Sequence, residues 1–306
     1  MSDFALVLLA APTGPPLAPG LVTAVLDRLP QTARAEPRWL APGNACDVPL
    51  RLDTRAELDR VTDIVRNEVQ GKVIGRSPVD VALVPASHRR KRLLVADMES
   101  TIIEQECLDE LATFVGQRDR VADITARAMR GELNFEAALK ERVGLLKGLR
   151  VTALEDLYRR ITLVPGAETL IATMRKHGAT CALVSGGFTF FTERIAHRLG
   201  FHTHQANTLD IHEDRLDGSV AEPILGREAK LATLQRLRDE LSLQDDETMA
   251  VGDGANDLGM IKAAGLGVAY RAKPIVAAQA AVSIVHGDLT ALLYLQGYRK
   301  DEFAAV

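Results

Sequence analysis

Cysteine is scarce in this sequence. Three residues in 306, Cys46, Cys107 and Cys181, are odd in number and lack paired or metal-ligand spacing. That suits a reducing compartment better than a disulfide framework. No apolar run approaches the ~20 residues of a membrane span. The apolar start, "FALVLLAA" at 4–11, follows Asp3 and has no Lys or Arg before it. It reads as a first strand rather than a signal peptide. Charge of one sign is also missing: 37 Lys and Arg stand against 41 Asp and Glu, a net −4. Such a chain has no basic field to attract nucleic acid. Internal repeats and low-complexity tracts are absent too. The expectation is a soluble, cytoplasmic protein without nucleic-acid or membrane partners, with a homodimer left open. Hydrophobic residues at 47% and charged residues at 25% are ordinary globular values, so a sizeable core can be buried.

Two regions differ in pattern. Residues 1–85 read as strand, helix, two strands, helix and strand: "FALVLLA", "LVTAVLDRLP", "ARAEPRWLAPG", "ACDVPLRL", "TRAELDRVTDIVRNEVQ" and "VDVALVPA". Leu58, Val61, Ile64, Val65 and Val69 recur at helical spacing. The order β-α-β-β-α-β predicts a ferredoxin-like α+β domain. The basic stretch "SHRRKR" at 87–92 marks a boundary. Residues 86–306 then alternate strands with helices, which predicts an α/β parallel sheet covered on both faces. Strands are expected at 92–97, 180–187, 247–254 and 265–270. Between the first two, about 105–160, no strand candidate occurs, and this stretch reads as a helical lid.

Three of these strands end in Asp or in Ser-Gly, at the carboxyl edge where open α/β sheets bind ligands. Phosphoryl transfer needs a nucleophile, a proton donor, a divalent cation and donors for the phosphate oxygens. Asp97, in "VADMEST", supplies an ionised carboxylate. A hard Mg2+ ion would cancel its repulsion from phosphate. Asp253, in "VGDGANDLGM", would share that ion, and Asp257 would act through metal-bound water. Ser185 and Gly186, in "LVSGGFTFF", would meet phosphate oxygens through hydroxyl and amide. Lys230, at a helix start, adds positive charge. Singly, a D-x-E pair, an S-G-G turn or a lone lysine is ordinary; the ordered set after successive strands is not.

"DMEST", "SGG", Lys230 and "GDGANDLGM" resemble the four motifs of the haloacid dehalogenase superfamily of aspartyl-phosphate phosphatases. Within it, "DMESTIIEQECLDELA", "GELNFEAALKERVGLLKGL" and "LVPGAETLIATMRKHG" are similar to the phosphoserine phosphatase family over about 91–300. The first 85 residues loosely resemble an ACT-like domain. The resemblance implies a HAD-like Rossmannoid sheet with a helical cap inserted after its first strand. It implies Mg2+-dependent hydrolysis of O-phospho-L-serine through a phosphoaspartyl intermediate at Asp97, the last step of L-serine biosynthesis. It assigns Glu99 a backbone carbonyl on the metal and a side chain for proton transfer, and Asp97 and Asp253 metal binding. It assigns Ser185, Gly186 and Lys230 to phosphate, and Asn256 and Asp257 to support of the metal end. Glu106 would meet the substrate ammonium and Arg142 its carboxylate, while Met129 and Phe135 would cover the site.

Glu99 departs from the usual D-x-D-x-T. It is longer by one methylene, roughly 1.5 Å, and a ~1 Å misplacement can cost about 10²-fold in rate. The expectation is an active enzyme with an adjusted backbone or rotamer. The alternatives are transfer to another alcohol, hydrolysis of another small phosphomonoester, or a non-catalytic amino-acid sensor.

Overall fold

The computed structural model describes residues 2–129 and 132–306. Its first part runs β1 (Ser2–Ala10), α1 (Pro19–Leu26), β2 (Arg38–Ala41), β3 (Ala45–Leu52), α2 (Arg55–Ile64) and β4 (Val79–Pro85). This is the expected β-α-β-β-α-β order. The strands form one antiparallel sheet in the order β2-β3-β1-β4. Thr54 starts α2 with a capping box: its hydroxyl accepts the Glu57 N–H, and the Glu57 carboxylate accepts the Thr54 N–H. The helix then continues as wider π turns through Val65–Ile74.

From Ala5 to Ala10 the β1 sequence is apolar without interruption because both of its faces are buried there. Leu6, Leu8 and Ala10 pack with Val22, Val25, Val61 and Val69 of the helical layer. Ala5, Val7 and Leu9 turn the other way and join the core of the larger part. A strand covered on one side alone would alternate with polar residues.

The larger part begins with β5 (Leu93–Ala96). Four helices follow, α3 (Cys107–Phe114), α4 (Arg118–Met129), α5 (Phe135–Gly144) and α6 (Thr152–Tyr158), and make the expected insertion. The chain continues through α7 (Ala167–Lys176), β6 (Thr180–Phe188), α8 (Thr189–Leu199), β7 (Thr203–Asn207), β8 (Leu209–His212), β9 (Arg215–Val220) and α9 (Arg227–Glu240). It ends with β10 (Thr248–Gly252), α10 (Leu258–Ala263), β11 (Leu266–Tyr270), α11 (Pro274–Ala277), β12 (Val282–Ile284) and α12 (Ala291–Leu295). Six strands pair in parallel in the order β12-β11-β10-β5-β6-β7. Leu94 and Ala96 of β5 face the core that contains α7, α8 and α12, whereas Leu93 and Val95 face α9 and α10.

The chain leaves β5 toward β6 on one side and later returns to β10 on the other. The carboxyl end of β5 is therefore the topological switch point, where a crevice opens. Four strands of this sheet were expected; β7 and β12 were not. β7, "THQAN", is polar because it is an edge strand, and β12 has only three residues. The β8–β9 hairpin was also not expected. It packs on α5, and the Leu216 N–H and C=O pair with Leu149 and Gly148 of the helical insertion. Among the described residues, no helix is long and apolar enough to cross a membrane.

Two buried aspartates fasten the antiparallel sheet to the larger part. The Asp80 carboxylate, 4% exposed, accepts the N–H groups of Val285, His286 and Gly287 at 2.7–3.2 Å. Asp47 accepts from the Arg89 guanidinium at 2.8 Å, whose Nε donates to the Leu295 carbonyl at the end of α12. Replacing Asp80 by Ala removes the acceptor from three N–H groups. The expected loss is about 2 kcal/mol of unfolding free energy, read from urea denaturation of Asp80→Ala against the parent protein.

Candidate active site

Asp97 is the first residue beyond β5. Its N–H donates to the Val251 carbonyl of β10 at 3.0 Å, which fixes its backbone at the switch point. Its Oδ1 accepts the Met98 N–H at 2.8 Å and lies 2.6 Å from Lys230 Nζ. Lys230, in the first turn of α9, is 2% exposed and also reaches Asp257 Oδ1 at 2.6 Å. Burial alone would lower the Lys230 ammonium, but Asp97 and Asp257 raise it above the ordinary lysine value, so it stays charged.

Asp253 and Asp257 come from the loop after β10. Asp257 folds back, and its Oδ2 accepts the Gly254 N–H at 2.9 Å. A Cβ at Gly252 would overlap that carboxylate, so this return needs glycine there. Asn256, half-buried, closes over Gly254 in the same way. Carboxylate oxygens of Asp97, Asp253 and Asp257 lie within 4.8 Å of one another. Three acids thus cluster, two of them paired with one ammonium. Burial, then Asp257 and Glu106, push Asp253 up to about 6. Burial and the Asp257 charge likewise raise Asp97, against the pull of Lys230. An all-oxygen, acid-rich cluster of this kind fits a hard divalent cation.

Ser185 and Gly186 lie near the end of β6, beside β5. The Ser185 oxygen accepts the Gly187 N–H at 2.9 Å, which leaves its own O–H proton available to an acceptor. Asn207, 2% exposed at the end of β7, holds this loop in place. Its amide donates to the Gly186 carbonyl at 2.9 Å, and its Oδ1 accepts the Leu225 N–H at 2.7 Å. The loop at Ser185 and Gly186 is thereby tied to the segment leading into α9 and Lys230. Sequence reasoning missed Asn207, because the strand it ends, β7, was itself not expected.

Glu99 is half-buried, and its Oε1 accepts the Cys107 N–H at the start of α3, 2.8 Å away. Burial and the Glu106 charge raise its pKa to about 7, opposed by the Cys107 hydrogen bonds and Lys230. Glu106 is exposed at the α3 N-cap and accepts the Ser100 hydroxyl at 2.7 Å. Arg142, on α5, donates from Nε to the Ala138 carbonyl of its own helix at 3.2 Å. Burial lowers its guanidinium below the ordinary arginine value, and Asp109, Glu99 and Glu106 oppose that. No ion pair joins Glu106 to Arg142 among the described residues, so both charges remain available to a third party. The Phe135 ring stands over the loop: a Cβ on Gly186 would lie 3.4 Å from its Cζ. Met129 ends α4; its side chain lies outside the described residues.

Residues 94–262 match the model of the haloacid dehalogenase-like hydrolases, and the chain belongs to that family. Phosphoserine phosphatases are among its curated relatives. The one from Streptomyces coelicolor is 44% identical over 229 residues, covering 74% of this chain and 56% of that protein. The chain therefore spans little more than half of that relative. A HAD family hydrolase from Salmonella enterica serovar Typhi superposes with a TM-score of 0.82 at 27% identity, covering 99% of this chain and 100% of that one. A phospho-aspartyl intermediate analogue of phosphoserine phosphatase superposes at 0.63 with 38% identity, covering 67% of this chain and 98% of that one.

Lys230→Met leaves the Asp97 and Asp257 carboxylates buried without their shared cation. In metal-free buffer at pH 8 the expected loss is about 3–5 kcal/mol. The Asp97 carboxyl, raised by burial and by the Asp257 charge, stabilises the fold least when ionised, so the loss is smaller at pH 5, where Asp97 takes up a proton more readily. Urea denaturation at the two pH values checks both size and direction.

Proposed function

We propose that this chain hydrolyses O-phospho-L-serine to L-serine and phosphate, with Mg2+ as cofactor and Asp97 as nucleophile. One observation carries the reading: the Asp97 carboxylate stands at the switch point, oriented by Lys230 and flanked by a second strand's acids. The phosphoserine phosphatase relatives and the phospho-aspartyl analogue support it.

Asp97, Asp253 and the Glu99 carbonyl would hold Mg2+, with Asp257 and Asn256 supporting that end. The bound ion would supply positive charge that offsets the repulsion between Asp97 and the phosphate. Asp97 attacks phosphorus, and the bond from phosphorus to the serine oxygen breaks. Glu99 gives that oxygen a proton, and in the second step takes one from the water that attacks the phosphoaspartate. A carboxyl whose pKa stands near 7 suits both directions of transfer at neutral pH. The Ser185 hydroxyl, the Gly186 amide and the Lys230 ammonium hold phosphate oxygens. On the cap side, Glu106 takes the ammonium of the substrate and Arg142 its carboxylate, as planar guanidinium pairing favours. Phe135 and Met129 cover the site and keep bulk water away during the first step.

The test is phosphate release from L-phosphoserine with and without Mg2+. Parent protein should turn over only with the ion, and Asp97→Asn should lose all measurable turnover. Full turnover by Asp97→Asn removes the nucleophile assignment. Glu99→Gln should keep substrate affinity and lower kcat by about 10²–10⁴-fold, since only the proton transfer is lost. Arg142→Ala should raise KM for phosphoserine and leave KM for a phosphomonoester without a carboxylate unchanged.

A further inference from the structure

Glu99 is one methylene longer than the aspartate of the D-x-D-x-T motif, and the surrounding residues receive the extra length at a definite place. Its carboxyl lies against Gly187. A Cβ built on Gly187 would stand 2.7 Å from Glu99 Oε2 and 3.1 Å from both Cδ and Oε1, and these are its three nearest neighbours. Gly187 does not have the positive φ that would itself require glycine. The missing side chain therefore serves space rather than backbone conformation. On its other side the carboxyl accepts the Cys107 N–H at 2.8 Å, and Cys107 itself is buried.

We infer that Gly187 and the first turn of α3 form a slot that seats the Glu99 carboxyl, with Gly187 the positioning residue for that carboxyl. Gly187 touches no reacting atom; it acts through Glu99. This inference rests on the proposed function for its catalytic meaning, but the slot itself is a packing arrangement that can be read without substrate.

The experiment is a double-mutant cycle of Gly187→Ala, Glu99→Asp and the combined variant, read by thermal unfolding and by kcat and KM for L-phosphoserine with Mg2+. Alanine at 187 should lower Tm by about 3 °C or more in the Glu99 protein. It should also lower kcat by about 100-fold with KM little changed, because it displaces the proton-transfer group by about 1 Å. In the Glu99→Asp background the shorter acid withdraws from the slot, so the same alanine should change Tm by less than about 1 °C and kcat by less than about threefold. Equal effects of Gly187→Ala in both backgrounds, on Tm and kcat alike, overturn the inference. Loss of kcat coupling with Tm coupling intact shows that the slot seats Glu99 without serving catalysis, and overturns the positioning role. Parent protein that shows Tm coupling but never turns over phosphoserine overturns the proposed function while upholding the slot.

Discussion

The Lys230 ammonium, held at 2.6 Å from Asp97 and 2.6 Å from Asp257, is the contact on which the rest of the site depends. It joins three separate pieces of chain: the end of β5, the start of α9 and the loop after β10. A buried ammonium is costly unless it is paired and hydrogen-bonded. Two buried carboxylates are costly for the same reason. Each group is tolerated because of the others, and the arrangement holds the aspartate at the crevice with its oxygen oriented. The excess of acid over base that remains suits a cation. The parallel sheet serves this contact by delivering the carboxyl ends of β5, β6 and β10 side by side.

Much of this was legible in the sequence, for a physical reason. Asp97, Ser185 and Asp253 each follow a short apolar run, and a polar group at the end of a buried strand stands out against its neighbours. The alternation of strands and helices after residue 91 gave the parallel sheet, and the strand-free stretch near 105–160 gave the cap. Glu106, Phe135 and Arg142 were legible only through resemblance, since a charge or a ring on a helix has no local context to mark it. Asn207 and Asp80 escaped because they act on backbone groups brought near by folding. Asp80 meets N–H groups 205 to 207 residues away, and no local pattern encodes a partner at that distance. The β8–β9 hairpin escaped for a related reason: much of its apolar face is buried by the helical insertion, which is far from it in sequence.

Glu99 is held in place from both its backbone and its side chain. Its backbone is set by its place two residues after Asp97, with Ser100 in the left-handed region at φ 54° turning the chain. The side chain then reaches the start of α3, and a carboxylate near a helix N-terminus is favoured by the free N–H groups there. Burial and the neighbouring Glu106 charge work against ionisation, and the Cys107 hydrogen bonds work for it. Burial is the largest of these influences, and the carboxyl ends up raised to about 7.

The antiparallel sheet at the start of the chain lends its inner face to the larger core. Ala5, Val7 and Leu9 share that core with Leu292, Leu293 and Leu295, and Asp80 accepts the backbone amides after β12. A shortened protein beginning near residue 86 would bare an oily surface beside stranded amide donors. In this chain the larger part is therefore not a detachable unit carrying an optional accessory, and its solubility is bound to the segment that precedes it.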